Sequence, residues 1–553
     1  MIHLSSLINK ILPTRRQRFI VSLFFGLLVL LGLLLHHDYG VSADERVDRL
    51  NGMVNVKYIA ELIAPTLVQN QAGYRLIPPL KNYIENDHGV AFEIPMALVS
   101  FVLTRGDAQV GYYVRHLCIF LVFVAGVYAL FRLSSLYLKS WRWGLLTTLL
   151  LVLSPRLFAD AFYNAKDIVF MALFTLSIYS LLCFIRQPSL PRALLHALVT
   201  ALTVDIRILG MLLVAFTVGM VGLELLSRSN EQRVLNRQLV QSTLLYLAIT
   251  PVAILIGWPA LWEAPLTNLL ASFHSLSKYP FKGTLLYWGN TIHLPVDPMP
   301  WHYIPGWILV TTPLAYSLAA VGGFLLTLRS LLRPWRPFLR TPEHRQNLLL
   351  LLWLLVPPLL VIGLNSILYN AWRHLFFIYP ALLILAVWGL QHLYTLSRHA
   401  SRLRAWAATM LLAAAALEGA YTVVRMVRLH PHQYVYFSFL PPSTAERLFE
   451  LDYWGLSYRE GLEWVLAHDP NPQITISGNP SYLDNNMLIL PPSQRTRLHY
   501  IPSQAETPTE ARYFLTAYHY YGARPKTYPD SLGREVYTIR ADGLRIFSVF
   551  KRW

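Results

Sequence analysis

Long apolar runs alternate with short charged segments over most of this chain, and the alternation stops near residue 430. A run of about 20 apolar residues crosses a bilayer as a helix. On that measure the pattern predicts about eleven spans, near 19–35, 112–133, 143–155, 168–185, 193–204, 208–226, 239–262, 304–328, 347–364, 374–396 and 405–424. The runs 143–155 and 193–204 are short, as a tilted helix or one broken at the membrane edge would be. Segment 36–111 is too long for a connector and is expected to carry helices of its own. Within it, Ala91 to Thr104 (AFEIPMALVSFVLT) is too short to span and reads as an interfacial or re-entrant helix. A second large connection, 258–303, is rich in Trp, Tyr, Pro and Gly.

Past residue 430 the chain becomes polar and Pro-rich. Gln473–Ser477 and Leu544–Phe550 read as strands, and Gly455 to Ala467 (GLSYREGLEWVLA) has helical spacing at Leu456, Leu462, Val465 and Leu466. The expected architecture is a mainly α, polytopic membrane protein over 1–429, followed by a small α/β domain over 430–553.

Composition agrees. Apolar residues make up 55% of the 553 and charged ones 14%, against roughly 25% charge in a soluble protein. Lys10, Arg15, Arg16 and Arg18 precede the first run without a small-residue cleavage pattern, which predicts a retained signal anchor. The net charge of +17 collects in alternate short loops: Arg132, Lys139 and Arg142; Arg186 and Arg192; Arg228, Arg233 and Arg237; Arg329, Arg333, Arg336, Arg340 and Arg345; Arg398, Arg402 and Arg404. By the positive-inside tendency these loops and the N-terminus are cytoplasmic, which puts 36–111, 258–303 and the C-terminal domain outside. The charge is thus accounted for by loops and lipid headgroups, and nucleic acid is not an expected partner. Cys118 and Cys183 lie inside apolar runs, which excludes a disulfide framework and a cysteine metal site.

The candidate chemistry gathers in the outer segments. Asp44 and Glu45 follow the first run, with Asp38, Gly40 and Ser42 before them allowing a tight turn. A solvated loop acid is the plain alternative, but acids held at the membrane edge often serve transport or catalysis. In SPRLFADAFYNAKD (154–167), Asn164 suits a helix N-cap and Asp167 the helix dipole. Lys166 is disfavoured by that dipole, and beside Asp167 it suits phosphate binding. Arg207, two residues after Asp205, and Arg373 with His374 also fall in outer loops, where basic residues are scarce. Each arginine could be snorkelling to headgroups, but one anionic ligand, such as a lipid phosphate, would explain them together with Arg156 and Lys166. In GTLLYWGNTIHLPVDPMPWHYIPGW, residues His293, Asp297, His302 and Tyr303 show no metal spacing, and the Pro-aromatic texture suits a wall for a lipid or sugar.

These residues resemble a bacterial member of the GT-C glycosyltransferase superfamily, nearest the glycosyltransferase family 39-like group that includes protein O-mannosyltransferases and lipid A aminoarabinose transferase. The resemblance covers about 19–430 and rests on the DE pair (Asp44, Glu45), NAKD (Asn164 to Asp167), PMPWHYIP (Pro298 to Pro305) and YNAWRHLFFIYP (Tyr369 to Pro380). It implies an inverting enzyme of the bacterial inner membrane. A sugar would pass from a polyprenyl monophosphate to a glycan, lipid or protein acceptor at the outer face. Asp44 would be the general base and Glu45 would orient the acceptor or a basic neighbour. Lys166, Arg207, Arg373 and His374 would hold the donor phosphate, supported by Asn164, Asp167 and Tyr303. The scheme requires no metal or other cofactor. A lipid-linked polysaccharide polymerase or ligase would also use outer-face cations, but it needs no early acid pair. A lipid or sugar transporter would place ionisable groups at mid-membrane and repeat its halves; neither is visible here.

Overall fold

A computed structural model describes residues 14–71, 73–104, 106–227, 233–277, 282–332, 341–502, 511–518 and 533–552. Lys10, Arg228, Arg333, Arg336 and Arg340 therefore lie outside the described residues. Among those described, nine helices are long and apolar enough to cross a membrane: Arg15–Leu35, Ala108–Tyr137, Ala165–Arg186, Ile208–Ser227, Val234–Gly257, Leu314–Leu331, Pro342–Gly363, Arg373–His399 and Arg402–Leu429. A tenth counts if Trp141–Val152 and Pro155–Tyr163, bent by 70° at their junction, form one broken span. The protein is a multi-pass membrane protein. The eleven expected spans are reduced because the run at 193–204 is the 15-residue helix Leu190–Val204. The run at 304–328 is also not continuous. It divides into Tyr303–Thr311 and Leu314–Leu331, with Pro313 at the join unable to donate a backbone hydrogen bond.

Ala165–Arg186 and Arg373–His399 are mostly buried, whereas Arg15–Leu35 and Arg402–Leu429 are mostly exposed and form the rim. Gly323 and Gly389 let the Leu314–Leu331 and Tyr379–His399 helices touch backbone to backbone. A methyl group on Gly323 would overlap the Leu385 carbonyl, and one on Gly389 the Ala319 carbonyl.

Three pieces gather at one end of the bundle. The 36–111 segment contains Glu45–Ile63 and Glu93–Thr104. The latter leaves Leu98, Phe101, Val102 and Leu103 exposed, as an interfacial helix does. The 258–303 connection carries the antiparallel hairpin β1 (Gly283–Tyr287) and β2 (Asn290–Leu294), bridged to the tail through Tyr287 and Phe449. The tail forms a five-stranded sheet of β3 (Ile474–Gly478), β4 (Leu498–Tyr500), β5 (Tyr513–Thr516), β6 (Arg534–Ala541) and β7 (Leu544–Lys551) in the order β4-β3-β5-β7-β6. β3 is parallel to β4 and β5, and β7 is antiparallel to β5 and β6. Ser457–His468 packs on this sheet, with Gly461 giving room for Phe547. One apolar core runs from Phe162 and Trp307 in the bundle through Phe437 and Trp454 to Leu483 and Ile546 in the tail.

Candidate active site

Asp44 occupies the N-cap position of Glu45–Ile63, but its carboxylate makes no capping bond. It turns instead to Arg373, whose guanidinium donates to it at 2.9 Å, and its side chain is 32% exposed. One turn on, the buried Asp48 lies on the same helix face and pairs with Lys166 at 3.0 Å. Burial pushes the Asp48 carboxyl up, against the opposing pull of Lys166.

Asn164 ends Pro155–Tyr163 and starts Ala165–Arg186. Its amide oxygen accepts from the Asp167 backbone N–H at 2.9 Å, and its NH2 donates to the Asp167 carboxylate at 2.9 Å. The cap thus fixes Asp167, as the sequence suggested, and also aims Lys166 at Asp48. Arg207 binds the first oxygen of Asp167, and Arg373 reaches the second at 3.3 Å. Three carboxylates (Asp44, Asp48, Asp167) thereby face three cations (Lys166, Arg207, Arg373). Arg373 joins Asp44 to Asp167.

The guanidinium of Arg373 is boxed by aromatic rings: Trp454 at 4.7 Å, Tyr369 at 4.9 Å and Tyr453 at 5.7 Å. His374 sits edge-on to Tyr369 at 4.7 Å. Arg207 Nε, Arg373 Nε and His374 Nδ1 are buried here without a hydrogen-bond partner among the described residues.

Glu45 is fully buried and joins this cluster through Arg115, which lies 3.7 Å from Asp48. It accepts from the Ser42 N–H at 2.7 Å, meets His116 Nε2 at 3.0 Å and lies 3.8 Å from Arg115. Arg115 forms a two-pronged bond with Glu93 at 2.7 and 2.8 Å. Glu45 therefore touches basic neighbours and is closed off from solvent. Tyr303 is buried with its ring 4.7 Å from that of Tyr287 and tilted to it by 53°, outside the charge cluster. Asp205 is likewise separate, although Arg207 two residues on is inside.

Sequence reasoning missed Asp48, Glu93, Arg115, His116, Tyr453 and Trp454. Asp48 carried a signal, since four residues after Asp44 is the same face of a helix. The others carried none, because their roles depend on partners far away in the chain. His293 and Asp297 serve a turn, the His293 N–H donating to Asp297 at 2.7 Å, and His302 contacts the Tyr287 hydroxyl. Among the described residues, Glu85, Asp87 and His88 have ligand atoms close enough to one another to hold a cation. Burial raises the Asp87 carboxyl, but His88 and the Ser275 hydroxyl outweigh it and hold the group below the usual range.

No family model matches the chain, and no curated protein matches it. Among solved structures it is similar to ArnT from Cupriavidus metallidurans in the apo state, at 11% identity and a TM-score of 0.47, over 96% of this chain and 98% of that one.

Proposed function

We propose that this protein is an inverting glycosyltransferase that moves a sugar from a polyprenyl monophosphate to an acceptor at the extracytoplasmic membrane face. The observation that carries the reading is Arg373, which pairs with the half-exposed Asp44 on one side and with Asp167 on the other. The motif resemblance of Asp44, Asn164 to Asp167 and Tyr369 to Pro380 supports it independently.

An acceptor hydroxyl is too weak an acid to attack unaided, so its proton must leave as the new bond forms. Asp44 takes that proton. The acceptor oxygen attacks the anomeric carbon, the bond from that carbon to the phosphate oxygen breaks, and its electron pair stays on the phosphate. Positive charge builds on the sugar ring, as in glycoside hydrolysis, and the phosphate gains one negative charge. Lys166, Arg207, Arg373 and His374 surround the leaving phosphate, and donors fixed in place stabilise charge as it develops.

The geometry couples the two events. While Asp44 is ionised, it neutralises part of the charge on Arg373. Once Asp44 is protonated, that charge turns to the phosphate as the latter becomes more negative. Glu45 acts only through His116 and Arg115, holding the turn before the helix. The outer domain covers the site, and the acceptor is a glycan, lipid or protein that enters beside it.

The test is transfer by the purified protein from a panel of polyprenyl-phosphate sugars, with Asp44→Asn in parallel. General-base loss predicts a fall in kcat of about 10²–10⁴. Turnover by Asp44→Asn at the wild-type rate would remove Asp44 as the base. Transfer only from diphosphate-linked oligosaccharides would favour a polymerase or ligase.

A further inference from the structure

The segment His37–Ala43 leads directly into Asp44 and forms no helix or strand. Yet Tyr39, Val41 and Ser42 are fully buried. Buried backbone groups need hydrogen-bond partners, and here most come from residues some 400 positions later. The Asn486 amide accepts from the Val41 N–H at 3.0 Å and donates back to the Val41 carbonyl at 3.2 Å, as a neighbouring strand would. The Asn485 NH2 donates to the carbonyls of Ser42 at 3.0 Å and Ala43 at 3.4 Å. The Ala43 N–H donates to the Trp454 carbonyl at 3.1 Å. Arg459 donates to the carbonyls of His37 and Tyr39. Gly40 is pressed against Asn486 and the Leu456 backbone, with no room for a side chain.

The clamp is itself rigidly held. Asn486 is buried, and the two N–H bonds of its NH2 are shared between the Val41 carbonyl and those of Gly455 at 3.0 Å and Tyr482 at 2.9 Å. Asp452 accepts from the N–H groups of Gly455, Leu456 and Ser457, which fixes the turn that follows Tyr453 and Trp454. That same turn supplies two walls of the box around Arg373. The C-terminal region thus grips both partners of the Asp44–Arg373 pair: Asp44 through the backbone leading into it, and Arg373 through Trp454 and Tyr453.

We infer that Asn486, with Asn485 and Arg459, are positioning residues that set where the Asp44 carboxylate stands, so that the C-terminal domain completes the active site and is not a separable recognition module. This inference rests on the glycosyl-transfer reading for its activity arm alone. Its structural arm is independent, because the contacts exist whatever the reaction.

The experiment compares full-length wild type with Asn486→Ala in detergent, by hydrogen exchange and by turnover of a polyprenyl-phosphate sugar. Opening of a local segment is read by exchange of its amides. The peptide covering 39–44 should exchange at least about tenfold faster in the variant, with exchange in the spans unchanged. A base displaced by a fraction of an ångström should lower kcat by about ten- to a hundredfold. Stoichiometric binding of a short polyprenyl phosphate should be retained, a readout that counts folded molecules and that simple loss of fold would reduce. Asn485→Ala, which loses only the contacts to Ser42 and Ala43, should show the same pattern more weakly, and it decides the matter if Asn486→Ala does not fold. Unchanged exchange at 39–44, or faster exchange with kcat within about twofold of wild type, would overturn the inference. If wild type transfers no sugar from any donor, the glycosyl-transfer reading fails, and the exchange result alone decides the clamp.

Discussion

Asp205 provides a sharp test of the electrostatics, because it is an acid buried without the partner that its neighbours enjoy. It stands at the C-cap of Leu190–Val204, is 1% exposed, and has no hydrogen-bond partner on Oδ1 among the described residues. Its other oxygen lies against Gly257. Burial pushes the carboxyl from 3.8 up to about 8, so the folded protein keeps it protonated at neutral pH. The sign follows. Below pH 4 both folded and unfolded states hold the proton, and stability is unaffected. Between about 4 and 8 the unfolded state ionises while the folded state does not, so stability falls as pH rises, by about 1.4 kcal/mol per unit. By pH 7 the loss is about 4 kcal/mol. Above about 8 both states are ionised and the loss levels off.

Asp205→Asn removes this titration and changes little in shape. Thermal unfolding of both proteins in detergent across pH 4 to 9 should give curves that meet at the acid end, apart from a constant offset. They should diverge as pH rises, with the variant the more stable. Curves that run parallel throughout would refute the reasoning, since they would mean that Asp205 titrates alike in the folded and unfolded states. Transfer activity should survive the substitution, because Asp205 is outside the charge cluster.

Other substitutions probe the cluster and the bundle. Arg373→Ala leaves Asp167 with Arg207 as its one remaining cation, and breaking a buried pair of this kind costs about 3–5 kcal/mol; a lowered melting temperature together with lost turnover is expected, and an unchanged melting temperature would count against the network. Glu93→Gln removes the charge that holds Arg115 in its two-pronged bond, with a loss of about 1–3 kcal/mol measured by denaturant unfolding. Gly323→Leu forces a side chain into the Leu385 backbone, so little folded protein should be recovered in size-exclusion chromatography, whereas Gly322→Leu, on an open face, should be recovered like wild type.

Much of the fold was legible because a bilayer demands long apolar helices, and these leave a plain mark in sequence. The N-cap role of Asn164 was equally legible, since capping is local. The broken helices were not. Whether an apolar run stays straight depends on what packs beside it, as at the 70° bend between Trp141–Val152 and Pro155–Tyr163. In the cluster, residue types and the shared face could be read for Asp44, Lys166, Arg207 and Arg373. Which acid meets which cation could not, and neither could the closure of Glu45 away from solvent.

By itself, the sequence determined that the chain lies in a membrane, where its helices run, and that acids and cations collect in a few named segments. These are properties of short stretches, set by apolar run length and by charge. Tertiary structure alone decided that Lys166 pairs with Asp48, that Arg373 joins Asp44 to Asp167, and that Asn486 holds the turn ahead of Asp44. Those pairings join residues separated by a hundred to several hundred positions. They arise from how helices pack and where a tail folds back, and no local pattern encodes them.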